Sequence, residues 1–269
     1  MLVIWASQVQ CYNNISVNVQ GSFLRFGISI NEYERVYPFI EKAKSAGVMT
    51  CCNFMKSHLC EPIVFEKAAR ATIKEGADVI YIVDSAGSMT PNTVRQYCER
   101  VKDLPFGFHG HNNLGLAVAN ADMAGMCGAS IVDCSIQGMG RSSGNTMTEH
   151  FLALKQRDGL LKNIDLLKIL DLSENLVRPL LSQIGHSSID IISGIAGFHS
   201  SYMNIVKKYS QIYSLDPRLL IIEACKYINN NFSEDSIEKC AQELSKKSKR
   251  GNIDLNFEYY HGNEQSTLP

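Results

Sequence analysis

A short apolar run returns roughly every 25 to 30 residues through the first half of the chain, the spacing of βα units. The runs are "LVIWA" (2–6), "FLRFGISI" (23–30), "VMTCCNFM" (48–55), "VIYIVDS" (79–85), "FGFHGH" (106–111) and "IVDCSI" (131–136). Helical segments over 32–46, 62–76, 91–103 and 115–127 separate the last five. Pro62 and Pro91 suit the first turns of their helices, and Thr90 is a good cap before Pro91. A glycine in "AGV", "EGAD" and "CGAS" marks the exits of the helices over 32–46, 62–76 and 115–127. Strands this apolar, joined by helices and short loops, predict a parallel sheet covered by helices.

From residue 146 helices take over, at about 146–158, 164–178, 199–213, 216–229 and 233–247. The expected organisation is a partial barrel domain over 1–160, a C-terminal helical region over 161–250 and a disordered tail over 251–269. A closed (β/α)8 barrel needs eight strands, and six are countable. Either the sheet is open, or two βα units are missing. Composition adds exclusions. With 269 residues, 20% charged and a net charge of −1, nothing points to nucleic acid or a membrane surface as partner. The basic cluster "SKKSKR" (245–250) reads as a solvated helix end. Nine cysteines without Cys-x-x-Cys spacing, and no secretory signal, suggest a reduced, cytoplasmic protein. The longest apolar runs are strand length, too short to span a membrane.

Four motifs carry candidate chemistry. In "FGFHGH", alternation puts Phe106 and Phe108 on one face and Gly107, His109 and His111 on the other. Two imidazoles at i, i+2, at the C-terminal end of a barrel strand, suit a divalent cation. The competing reading is two hydrogen-bonded polar residues at a strand end; strand position and face favour ligands. Ser85, in "VDSAGSMTPN" (83–92), could hold a substrate carboxylate with backbone N–H groups, or simply serve the turn. "GMGRSSGN" (138–145) places Gly138, Gly140 and Gly144 around Arg141. It is neither a dinucleotide fingerprint nor a P-loop. It fits close backbone approach to a ligand, or a flexible loop. In "SGIAGFHSSYM" (193–203), His199 is an acid–base candidate beside Tyr202, although a lone histidine at a helix start often has a structural role.

Taken together, "FHGHNNLGLAVAN", "GASIVDCSIQGMGRSSGN", "VRPL" and "GIAGFHSSYM" resemble the 4-hydroxy-2-oxovalerate aldolases. These belong to the HMG-CoA-lyase-like group of TIM-barrel metal enzymes, together with the isopropylmalate synthases. The resemblance runs from about 23 to about 245. It implies an incomplete (β/α)8 TIM-barrel-type α/β fold with a small C-terminal helical region, "LVIWA" standing as the third barrel strand. It also implies a lyase that cleaves 4-hydroxy-2-oxo acids to pyruvate and an aldehyde. His109 and His111 match the family's metal-ligand histidines, with Mn²⁺ the usual ion and Mg²⁺ or Co²⁺ as substitutes. Ser85 matches a contact to the pyruvyl carboxylate. Asn113, Gly138, Gly140, Arg141 and Gly144 fall in substrate-binding loops. His199 and Tyr202 are the catalytic candidates, His199 standing where the family has a tyrosine. An acylating aldehyde dehydrogenase or a second copy of the chain is the implied partner. The family's Arg-Asp-Gly motif, which supplies a third ligand, is absent near the start; "QRDG" (156–159) follows a helix instead. Two other readings stand beside this one. One is a non-catalytic remnant or binding subunit; the other is an acyl-CoA-dependent condensing enzyme like the isopropylmalate synthases.

Overall fold

A computed structural model of the chain describes residues 2–5, 23–181, 188–228 and 232–247. It divides into two compact units. The first comprises Met1–Ser85, Met89–Gly110 and Ala119–Asp133; the second comprises Ala86–Ser88, His111–Val118 and Cys134–Pro269.

The first unit is a parallel six-stranded sheet in chain order: β1 (Leu2–Trp5), β2 (Phe23–Ser29), β3 (Met49–Met55), β4 (Val79–Asp84), β5 (Phe106–Gly110) and β6 (Ile131–Val132). Its crossover helices include α1 (Tyr37–Ser45), α2 (Pro62–Lys74) and α3 (Pro91–Val101), followed by α4 (Ala117–Met126). Register assigns the two faces. Phe54 pairs with Ile82 and Ile82 with Phe108, so all three share a face. Phe54 meets Phe65 of α2 edge-on at 5.6 Å, and Phe65 meets Tyr97 of α3 at 5.5 Å. That face is the dry layer beneath the helices. On the opposite face lie Arg25, Cys51, Asn53, Tyr81, Val83, Gly107 and His109.

This second face is concave. Four strand spacings separate β2 from β6, which in a flat sheet is about 19 Å. Yet Arg25 on β2 reaches Asp133, the residue after β6, with both ends of its guanidinium. Two side chains cannot bridge that gap unless the sheet curls toward them, as barrel walls do.

The second unit is helical: α5 (Thr148–Arg157), α6 (Leu166–Leu172), α7 (Ser188–Ala196), α8 (Met203–Ile212), α9 (Pro217–Tyr227) and α10 (Glu234–Lys247). Its core gathers Phe198, Met203, Val206, Leu220, Ile221, Ile237 and Ala241. Asp216 caps α9 by accepting the Arg218 N–H at 2.9 Å.

The sequence-based elements differ from these in several places. The strand expected over 131–136 stops at Val132, although Asp133 N still donates to Phe108 O at 3.0 Å. The segment 32–46 opens as a 3-10 turn broken at Glu32 before α1 begins. The segment 164–178 is α6 followed by a π turn over Ser173–Val177. Helix α7 was not expected, because its serines and Gly194 are weak helix formers. Gly194 is there for contact: a Cβ on it would sit 2.9 Å from the Leu114 side chain. The tail expected to be disordered, 251–269, lies outside the described residues. No helix among the described residues is long and apolar enough to cross a membrane.

Candidate active site

The first unit holds a buried polar network on its concave face. Asp133 accepts from Arg25 twice, Nη1 to Oδ1 at 3.0 Å and Nη2 to Oδ2. Its Oδ2 also lies 2.9 Å from His109 Nδ1. A carboxylate has no proton to give, so Nδ1 of His109 carries the hydrogen of this contact. Burial pushes the Asp133 carboxyl up, but the hydrogen bonds from His109 and Arg25, with the Arg25 charge, more than offset it and hold it below the usual carboxylate range. Arg25 lies over the Tyr81 ring, 4.3 Å from its centroid. The Tyr81 ring in turn needs Gly107: a Cβ there would be 2.6 Å from Tyr81 Cε1. Ser85 follows β4 and is buried; its Oγ accepts the N–H of Lys56 at 2.8 Å. Lys56 itself is left-handed, with φ 63°.

The second unit gathers most of the other predicted residues. His111 is buried, with Nδ1 3.3 Å from the Arg141 carbonyl. A carbonyl only accepts, so Nδ1 of this imidazole also carries the hydrogen of its contact. The Arg141 guanidinium lies 3.0 Å from His199 Nε2. Guanidinium only donates, so Nε2 of His199 is the acceptor and Nδ1 carries its proton. Nδ1 then donates to Ser201 Oγ at 2.7 Å. The Ser201 N–H, 3.2 Å from the same nitrogen, cannot also be donating to it. Tyr202 meets the His199 ring edge-on at 6.3 Å and stacks on Phe232 at 5.0 Å.

Asn113 ties three segments together. Its Nδ2 donates to Ser142 Oγ at 2.9 Å and to the Asp190 carbonyl at 3.1 Å, and Ser142 Oγ donates to Asp190 Oδ1 at 2.8 Å. The loop glycines shape the loop itself. A Cβ on Gly144 would fall 2.1 Å from Gly138 O, and one on Gly140 would fall 2.4 Å from Asn145 Nδ2. Glu149, at the start of α5, anchors the same loop: both its oxygens accept the Gln137 N–H, at 2.9 and 3.1 Å, and Ser173 Oγ donates to it.

Sequence reasoning named the histidines and the loop as candidates and did not name Arg25, Tyr81, Asp133 or Glu149, which the structure joins to them by hydrogen bonds and ring contacts. A signal for three of them was present. Arg25, Tyr81 and Asp133 interrupt otherwise apolar runs at positions in phase with Gly107 and His109.

The HMGL-like family model matches residues 8–177. A 4-hydroxy-2-oxovalerate aldolase of Geobacillus genomosp. 3 is 36% identical over 207 residues, 76% of this chain and 61% of that protein. One from Brevibacillus brevis is 35% identical over 212 residues, 77% of this chain and 62% of its own length. The chain therefore spans about three fifths of the length of these curated relatives. Among solved structures, the HMG-CoA lyase of Bacillus subtilis superposes with a TM-score of 0.54 at 19% identity, covering 59% of this chain and 63% of that one, a likeness of fold alone.

Proposed function

Because the chain belongs to the HMGL-like family, we propose that it works as a divalent-metal aldolase on 4-hydroxy-2-oxo acids, releasing pyruvate and an aldehyde. One observation carries this reading. His109 and His111 each turn Nδ1 toward an oxygen that can only accept, the Asp133 carboxylate in one case and the Arg141 carbonyl in the other. In both imidazoles Nδ1 is thereby held as a donor, the arrangement in which Nε2 is the nitrogen that would bind an ion. The i, i+2 spacing of the two histidines in the sequence is the basis for a divalent ion, with Mn²⁺ the first choice and Mg²⁺ or Co²⁺ as alternatives. Among the described residues no group of three or more His, Cys, Asp or Glu side chains is placed to hold an ion. Two imidazoles are what these residues contribute. When bound, the ion supplies a Lewis acid toward the oxygens of a 2-oxo acid.

The remaining roles belong to the chain's own groups. Ser85, Asn113 and the loop of Gly138, Gly140 and Gly144 orient the substrate, and the Arg141 guanidinium meets its carboxylate. His199 takes or returns a proton at Nε2, with Tyr202 against its ring. This reading keeps the catalytic sheet and its loops over 1–160 and a helical region over 161–250. It takes an acylating aldehyde dehydrogenase, or a second copy of the chain, as partner, and a reducing cytoplasm as setting.

The test is purified protein with Mn²⁺ and a 4-hydroxy-2-oxo acid, following pyruvate. Pyruvate release that needs Mn²⁺ and is abolished by His109→Ala supports the proposal. No pyruvate above the blank, with Mn²⁺ bound, refutes it and favours a second reading, a metal-binding subunit without turnover. The absence of a third clustered ligand among the described residues is the observation on that side.

A further inference from the structure

We propose that Asp133 and Arg25 are a positioning pair whose task is to fix the His109 imidazole, proton on Nδ1 and lone pair on Nε2. The proposal deepens the reading of His109 as a metal ligand and rests on it.

The geometry is a chain of planes. A carboxylate alone turns easily about its Cβ–Cγ bond. Here two roughly parallel N–H bonds from one guanidinium set its plane. The guanidinium is set in its turn by the face of Tyr81, 4.3 Å from the ring centroid. The Tyr81 ring lies against the bare backbone of Gly107, two residues before His109 on the same face of β5. What reaches His109 is an acceptor oxygen in a fixed place, 2.9 Å from Nδ1. Asp133 serves Arg25 and His109 through the same Oδ2, so the ring and the guanidinium cannot shift independently. The pair is also neutral overall. It brings a carboxylate to the imidazole without leaving an unmatched anion on the concave face. A brace that only held the sheet curled would need Arg25 and Asp133, but it would not need His109 on Oδ2.

The closing experiment reads the ring directly. In metal-free, ¹⁵N-histidine-labelled protein, long-range ¹H–¹⁵N correlation reports the tautomer of each imidazole, with His109→Gln assigning the signal. The Nδ1–H form at His109 is the expected result; the Nε2–H form overturns the proposal. Arg25→Met combined with Asp133→Ala removes both charges and leaves no lone buried ion. In that variant the His109 tautomer should become mixed, and Mn²⁺ affinity by calorimetry should fall roughly 10- to 100-fold. Unchanged affinity with an unchanged tautomer overturns the proposal. If the unaltered protein does not take up Mn²⁺, the metal reading falls. The tautomer in the unaltered, metal-free protein still decides the positioning pair, and it needs no variant to fold.

Discussion

Replacing Gly107 by alanine tests the concave face at its tightest point. The added Cβ would stand 2.6 Å from Tyr81 Cε1, 2.7 Å from Tyr81 Cζ and 3.0 Å from Ile131 O. Distances below 3 Å to a ring, with a backbone oxygen at 3.0 Å, leave no room for a methyl group. The ring cannot easily yield, because Tyr81 is fully buried and Arg25 lies on its face. Overpacking of this kind costs about 1 to 3 kcal/mol, and a wall this rigid puts Gly107→Ala at about 2 to 3 kcal/mol. For a chain of this size that is a drop in melting temperature of roughly 4 to 12 °C. Gly125→Ala is the matched control. It lies on α4, and a Cβ there meets nothing within 4 Å. It should be neutral, or stabilising by up to about 1 kcal/mol, through helix propensity alone. Urea and thermal unfolding of both variants give the answer. If Gly107→Ala matches the parent within about 0.5 kcal/mol, the packing argument that seats Tyr81 and Arg25 is wrong.

Three further outcomes follow from the same structure. Asp133 has a depressed folded-state pKa, so its stabilising contribution is complete above the ordinary carboxylate value of about 4 and is lost as pH falls through its own lower value. Urea unfolding against pH should show this acid slope, and Asp133→Asn should be less stable at neutral pH with a flatter profile below about pH 4. Thr90 accepts the Thr93 N–H at 3.2 Å, so Thr90→Ala should cost about 1 kcal/mol in chemical denaturation, and an unchanged midpoint would deny the cap. Burial pushes the Cys52 and Cys98 thiols up, and that of Cys51 up to about 11 with Arg25 pulling the other way. A thiol-reactive disulfide at neutral pH should leave these three untouched until the protein unfolds; rapid native labelling of Cys98 would contradict its burial.

Much of the sheet was legible because the signals were local. Strand alternation separated Phe106 and Phe108 from Gly107 and His109 within six residues, and Thr90-Pro91 marked the start of α3 by cap chemistry. The concave network was not legible for the opposite reason. Arg25 and Asp133 stand 108 residues apart, and only the curl of the sheet joins them. Asp133 also reads as one more strand residue in "IVDCSI", whereas the strand ends just before it. Helix α7 escaped because Ser193 and Gly194 weaken its helical signal, while the reason for Gly194 lies in its contact with Leu114. The loop glycines were visible, but their partners Gly138 O and Asn145 Nδ2 are properties of the folded loop. For His111 and His199, only the orientation of Arg141 tells which nitrogen carries the proton.

Sheet order that equals chain order has a consequence during synthesis. Each new strand pairs with the one made just before it, so the wall of the first unit can grow as the chain emerges. One contact cannot form on that schedule. Arg25 is made early, and its carboxylate arrives 108 residues later. At ribosomal speeds of about 5 to 20 residues per second the guanidinium waits roughly 5 to 20 s for its counter-charge. Tyr81 is made 56 residues after Arg25, so for the second half of that interval its ring is the partner the nascent chain already holds for the guanidinium. The last salt bridge of the sheet is then also its completion signal, made only when the sixth strand is in place.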